Sequence, residues 1–258
     1  MPCGTTGESP TLSHDEHKEV IRHTIEVVDK RITVIAGTGS NSTEEAIELS
    51  KFAEKAGSDA LLIVTPYYNK PNQEGIFQHF LAVSQSTDAP ICVYDVPGRT
   101  SRAIAPATFA RLAEIPNIVA VKDATADMAH ASEVALATHH GLQMLSGDDF
   151  TLLPFLALGG HGAISVLSNV APRRTSRMVR AARAGDLATA RDLHFELYPL
   201  IKLLFEDSNP TPIKAALAEL GLMDSHVRLP LTPATPGLRR RLGQALGRLG
   251  IEVSGGSR

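Results

Sequence analysis

Ile118-Val119-Ala120-Val121-Lys122-Asp123 is the stretch on which the fold turns. Small and β-branched apolar residues run unbroken into one lysine. A continuous run, rather than an alternating one, reads as a strand covered on both faces, the habit of parallel sheets. A lysine closing such a strand must reach an opening or find a partner. Two readings of Lys122 follow. It snorkels to water from the strand end, or it sits against apolar walls that penalise its charged form. A neutral amine so placed can attack a carbonyl and form a Schiff base.

Similar runs recur at residues 32–36, 60–64, 91–94, 142–145 and 163–166. Helical segments with start and stop signals separate them. Ser13-His14-Asp15-Glu16 has the form of a capping box, and Ser42-Thr43-Glu44-Glu45 repeats it. Gly57 is placed to end the second of these helices in a left-handed cap. Pro106 and Pro172 suit first helical turns.

The strand runs end in polar or special residues: Gly37-Thr38-Gly39, Thr65-Pro66-Tyr67-Tyr68-Asn69, Asp95-Val96-Pro97-Gly98-Arg99-Thr100, Lys122-Asp123, Ser146-Gly147-Asp148-Asp149 and Ser168-Asn169. Chemistry gathered at one end of successive parallel strands is the layout of a (β/α)₈ TIM barrel. The competing layout is a doubly wound sheet, but no Gly-x-Gly-x-x-Gly opens a helix after a strand. Beyond about Gly185 strand runs cease. Residues 187–205, 212–220 and 237–249 read as helices, which divides the chain into a barrel region, 1–185, and a helical C-terminal region, 186–258. Arg239, Arg240, Arg241 and Arg248 read as a solvated face, and residues 254–258 as a frayed end.

Composition narrows the function. The chain has 258 residues, 43% of them hydrophobic, with a formal net charge of −3. That balance gives no electrostatic case for nucleic acid. Cys3 and Cys92 are too few for a disulfide framework and suit a reducing cytoplasm. No secretory leader is expected, and no apolar run approaches the ~20 residues that cross a bilayer. His14, His17, His139, His140 and His161 show no His-Glu-x-x-His spacing, and no Cys-x-x-Cys occurs, so no catalytic metal is expected.

With these residues set out, the chain resembles the dihydrodipicolinate synthases of the Schiff-base, pyruvate-dependent aldolase and lyase family. The resemblance runs from Gly4 almost to Gly250. It is carried by Gly4-Thr5-Thr6-Gly7-Glu8-Ser9, the Thr65 and Tyr94 stretches, Val121-Lys122-Asp123-Ala124, Ser146-Gly147-Asp148 and Gly160-His161-Gly162-Ala163-Ile164-Ser165. Each motif is weak alone. Their order and barrel spacing make them specific.

The resemblance implies that Lys122 holds pyruvate as an imine, with no further cofactor, and that aspartate semialdehyde is the second substrate. The product would be the cyclic precursor of diaminopimelate and lysine. It implies a hydroxyl relay of Tyr94, Thr5 and Tyr68, Tyr68 reaching a neighbouring subunit of a homodimer or homotetramer. A phenol can both give and accept a proton, as such a relay needs. Thr6 would hold the pyruvate carboxylate, and a Gly-Thr-Thr-Gly turn can present donors to an anion. Arg99 would grip the carboxylate of the semialdehyde with its bidentate fork. Gly147 and Ile164 would shape the pocket. Ser9, His14, His17, Asn41, Glu45 and Tyr67 match positions that hold lysine as an inhibitor. From position alone, Tyr68 is equally a packed tyrosine and Arg99 a surface arginine in a turn.

Two departures bear on this expectation. Asp95 stands where the family usually has asparagine, bringing a carboxylate that either perturbs Tyr94 or Arg99 or points away. The Gly4-Thr5-Thr6-Gly7 motif normally follows the second strand, and here only Met1-Pro2-Cys3 precede it. The expected fold is therefore a barrel lacking its first strand, first helix and most of its second strand, with exposed edges; a start upstream is the favoured explanation, beside a cut chain and a naturally shortened, weak one. A lyase for a keto-sugar acid and a non-catalytic barrel acting as a binding partner are the other readings.

Overall fold

The computed structural model describes residues 1–251. The fraying expected at 254–258 lies outside the described residues. Two compact units divide the chain: Met1–Gly147 with Gly160–Gly162, and Asp148–Gly159 with the described residues from Ala163 onward.

In the first unit, 3₁₀ turns at Thr5–Gly7 and Ser9–Thr11 lead into alternating helices and strands. In order these are α1 (His14–Val28), β1 (Ile35–Gly37), α2 (Thr43–Ala56), β2 (Ala60–Val64), α3 (Gln73–Ser84) and β3 (Ile91–Asp95). Then come α4 (Pro97–Thr100), α5 (Pro106–Ala113), β4 (Ile118–Asp123), α6 (Met128–Ala137) and β5 (Gln143–Ser146). The strands lie side by side in chain order, ending with β6 (Gly162–Ala163), in one six-stranded sheet. Every pair from β1 to β5 is parallel. A doubly wound sheet reverses its order at a switch point; this one does not. Ile63, Val93 and Val121 bury the strand centres, and Phe80 and Phe109 of α3 and α5 are buried with them.

The caps follow local chemistry. Ser13 Oγ accepts from Glu16 N at 3.2 Å while Ser13 N donates to the Glu16 carboxylate at 2.9 Å, a complete box. At α2 only half of the expected box forms. Ser42 Oγ accepts from Glu45 N at 3.4 Å, but the Glu45 carboxylate turns to His14 and to the Ser40 hydroxyl. Gly57 closes α2 at φ 97°.

Two strands differ from expectation. The run at 32–36 yields a strand only from Ile35, and Ile32 is 69% exposed. Asp29 and Lys30 adopt positive φ, and the Arg31 guanidinium folds back on the carbonyls of Val27 and Val28, so this segment finishes α1 instead. The run at 163–166 yields strand only to Ala163. The Asp149 carboxylate accepts the backbone N–H groups of Val166 (3.0 Å) and Leu167 (2.8 Å), donors a longer strand would have spent on its neighbour.

The second unit is helical. It contains α7 (Leu152–Ala157), α8 (Pro172–Arg183), α9 (Leu187–Leu204), α10 (Thr211–Glu219) and α11 (Pro236–Arg248). Leu197, Leu200 and Ile201 of α9 pack with Ile213 of α10 and Leu242 of α11 in a fully buried core. Pro172 and Pro106 occupy the first turns of their helices.

The chain's first residues seal the edge of β1. Gly37 N donates to Pro2 O at 3.0 Å. A Cβ on Gly37 would lie 2.1 Å from the Cys3 carbonyl oxygen, so only glycine admits this approach.

Candidate active site

The register of β3 against β4 pairs Tyr94 with Lys122 and Asp95 with Asp123. Lys122 is 6% exposed, and its Nζ lies 3.9 Å from the centroid of the Tyr94 ring. An ammonium there is attracted by the ring face. Tyr94 is itself pinned from behind, because its carbonyl accepts from both Thr65 N (2.9 Å) and Thr65 Oγ1 (3.0 Å). Gly147 leaves room for the lysine stem. A Cβ there would stand 2.8 Å from Lys122 Cε and 2.8 Å from Ala124 Cβ. Cys92 is buried two positions before Tyr94, and burial pushes its thiol up to about 12, so no thiolate competes with the amine as nucleophile.

Tyr94 also lines a cavity of about 300 Å³ together with Thr5, Ser9, Tyr67 and Arg99. Lys122 is not among the residues lining this cavity; it lies against the ring of Tyr94, which is. Thr5 arrives on the 3₁₀ turn that follows the sealed edge of β1, and Thr6 is the next, half-buried residue of that turn. Arg99 is carried by α4, a single turn opened by Pro97.

Tyr68 stands apart. It is 88% exposed, and its backbone lies in the left-handed region at φ 67°. Non-glycine residues adopt this region uncommonly. Neighbouring bonds hold it there: Asn69 N donates to Tyr67 O at 2.8 Å, and Asn69 Nδ2 to Asn41 O at 2.9 Å. Ile164 is half-buried just after β6, in the second unit.

Of the residues matched to a lysine-binding site, His14 and Glu45 meet at 2.6 Å and Glu45 also receives the Ser40 hydroxyl. His17 is buried with Nε2 2.7 Å from Gly37 O, so that nitrogen carries a proton, and burial lowers its pKa. Ser9 and Tyr67 line the cavity, and the Asn41 carbonyl accepts from Asn69 Nδ2.

Asp95 points away from the cavity residues. It is fully buried; one carboxylate oxygen accepts from Ile104 N at 3.1 Å and lies 3.7 Å from His130 Nε2. Asp123, also buried, accepts the N–H and hydroxyl of Thr125. Sequence reading passed over His130. Its one signal was its place in the first turn of the helix that follows β4, a turn that packs over strand ends.

Among the described residues no group of three or more His, Cys, Asp or Glu side chains could hold a metal ion. Nor is any helix among them long and apolar enough to cross a membrane.

The Dihydrodipicolinate synthetase family matches residues 1–248. A 4-hydroxy-tetrahydrodipicolinate synthase of Nitratidesulfovibrio vulgaris (strain DP4) is 53% identical over 252 residues, which covers 97% of this chain and 86% of that protein. Among solved structures, dihydrodipicolinate synthase from Aquifex aeolicus superposes with a TM-score of 0.96 at 44% identity, covering 98% of this chain and 87% of that one. The chloride-inhibited Acinetobacter baumannii enzyme complexed with pyruvate gives 0.94 at 48% identity, covering 96% and 86%. The Cyanidioschyzon merolae enzyme with lysine bound gives 0.93 at 41%, covering 97% and 85%. In sequence and in backbone alike, this chain belongs to the dihydrodipicolinate synthetase family.

Proposed function

We propose that the chain is a 4-hydroxy-tetrahydrodipicolinate synthase, a lyase that joins pyruvate to aspartate 4-semialdehyde in the route to diaminopimelate and lysine. The observation that carries this is a buried amine, Lys122, against the ring of a tyrosine that faces a cavity of about 300 Å³. Family membership and the pyruvate bound to the Acinetobacter baumannii relative support it.

The Lys122 nitrogen bonds to the keto carbon of pyruvate, and the keto oxygen leaves as water after taking up two protons. The protonated imine draws electrons from the methyl group, which gives up a proton and becomes an enamine. The enamine carbon attacks the aldehyde carbon, and the aldehyde oxygen takes a proton. The amino group of the second substrate then attacks the imine carbon, closing the ring and releasing Lys122. No cofactor beyond this imine enters. Tyr94 moves protons at Lys122, with Thr5 and Tyr68 completing the relay. Thr6 holds the pyruvate carboxylate, Arg99 that of the semialdehyde, and Gly147 and Ile164 shape the pocket.

The stiffly held, exposed Tyr68 supports its use by a neighbouring subunit of a homodimer or homotetramer. Ser9, His14, His17, Asn41, Glu45 and Tyr67 form a second site for lysine as inhibitor, a reading supported by the His14–Glu45 contact and by the lysine bound to the Cyanidioschyzon merolae relative. Calorimetry with lysine tests that site. A TIM-type (β/α) barrel over residues 1–185 and a helical region over 186–258 complete the proposal. Its support is the chain-order parallel sheet and the bond from Gly37 to Pro2. A cytoplasmic setting, with small-molecule substrates and neither nucleic acid nor membrane, fits two buried, unbridged cysteines.

Borohydride reduction with pyruvate is the test. A stable mass increase, absent from Lys122→Ala, is expected, followed by turnover when aspartate semialdehyde is added. A folded sample that gains no mass overturns the proposal.

A further inference from the structure

Asp95 closes the loop that carries Arg99. Its carboxylate accepts Ile104 N, nine residues on, at 3.1 Å, so residues 96–103 leave and return at one side chain. Inside the loop, Thr100 Oγ1 donates to Arg102 O at 2.8 Å, and Arg102 Nε donates to Lys70 O at 3.3 Å. Asp95 is nonetheless under-compensated. It is fully buried, and its second oxygen has no hydrogen-bond partner. A buried carboxylate with one backbone donor is poorly compensated unless a counter-charge stands near.

His130 supplies that counter-charge. Its Nε2 lies 3.7 Å from Asp95, an ion-pair distance rather than a hydrogen bond. The groups facing it are carboxylates: Asp95 from β3, Asp123 from β4 and Asp127 at the start of its own helix. Phe109 of α5 lies on another side, with ring centroids 6.4 Å apart. Asp95 above all, then Asp123, raises the His130 pKa above its usual 6.5, against the opposing effect of burial.

We propose that His130 is a positioning residue for the second substrate: paired with Asp95 behind β3 and β4, it fixes the loop that presents Arg99 to the cavity. This rests on the role of Arg99 given above. When His130 loses its proton, the buried Asp95 charge loses its partner, and the Ile104 anchor weakens. Grip on the carboxylate of aspartate semialdehyde weakens with it, whereas imine formation at Lys122 does not depend on the loop.

The test is steady-state kinetics of the intact protein across neutral pH, with a proton NMR titration of its imidazoles. KM for aspartate semialdehyde should rise about fivefold as pH passes the His130 pKa, the size of effect a residue without ligand contact exerts. KM for pyruvate should stay level. His130→Arg, a permanent cation, should keep the low KM and abolish the pH step, and His130→Leu should show the high KM throughout. The His130 resonance should titrate above 6.5. A semialdehyde KM without a pH step, a step that survives in His130→Arg, or a His130 resonance titrating at or below 6.5 overturns the inference. Failure to trap pyruvate in the wild type instead sinks the reading of the enzyme itself, so the two failures are distinct.

Discussion

Asp95 and Asp149 are both buried carboxylates at or just beyond a strand end, yet their surroundings compensate them differently. Each leaves its Oδ1 without a hydrogen-bond partner, but Asp149 Oδ2 accepts the N–H groups of Val166 and Leu167, donors that keep their protons at every pH of interest. Asp95 has one backbone donor and an imidazole. Fixed donors turn a carboxylate into a brace for the chain. A titratable partner leaves it responsive, and it sits one residue from Tyr94 and across the register from the neighbour of Lys122. The difference separates a region that holds shape from one that serves chemistry.

The largest effect should fall on the chemical side. Lys122→Ala should abolish the reducible pyruvate adduct and lower kcat by about 10⁴-fold or more, as loss of a covalent nucleophile does, with the melting temperature nearly unchanged. A comparable rate in the variant, measured by coupled assay, would make Lys122 a structural residue and erase the contrast.

On the bracing side, Asp149→Ala should strand the buried N–H of Leu167 and the half-buried N–H of Val166 and cost about 3 kcal/mol in urea unfolding, with turnover per folded molecule retained. A loss of specific activity at full stability would move Asp149 across the divide.

A histidine of the first unit offers an intermediate case. His79 bonds Thr43 through Nδ1 at 2.9 Å, but its buried Nε2 has no partner, and burial lowers its pKa to about 4. A folded pKa below the unfolded 6.5 means stability present above pH 6.5 and lost as pH falls toward 4. Thermal melts over that window should show about 3 kcal/mol of acid destabilisation, which His79→Phe removes. His130 has the opposite sign: its contribution is complete below 6.5 and is lost as pH rises through its raised folded pKa. Opposite slopes in the His79 and His130 variants would sharpen the comparison.

The smallest effect belongs to Gly147→Ala. The new methyl would press on Lys122 Cε and Ala124 Cβ. Adduct formation should slow about tenfold through misplacement of the amine, with the protein still folded. Stopped-flow trapping at an unchanged rate would show that the lysine stem has room to move.

Much of this was legible in the residues. The strands announced themselves as unbroken apolar runs, and Lys122 stood out because a charge ended one. Tyr94 could be placed beside it because adjacent parallel strands bring their ends to the same level. What escaped depended on distant partners. The false start of β1 at Ile32 reflects Arg31 folding back onto α1, and the short β6 reflects Asp149 capturing Val166 and Leu167. The incomplete cap of α2 has the same origin, since His14 and Ser40 claim Glu45. His130 was invisible for this reason too. A half-buried histidine on a helix has no meaning until the strand ends beneath it are known to carry two aspartates.

One glycine sets a boundary on how far this sequence can drift. Any side chain at Gly37 would collide with the Cys3 carbonyl, and the bond to Pro2 would have to give way. The turn that brings Thr5 to the cavity hangs directly from those residues. A single added methyl, remote from Lys122 and touching no substrate, would thus dislodge one wall of the chamber, and a randomised library that varies this codon should return folded but silent proteins.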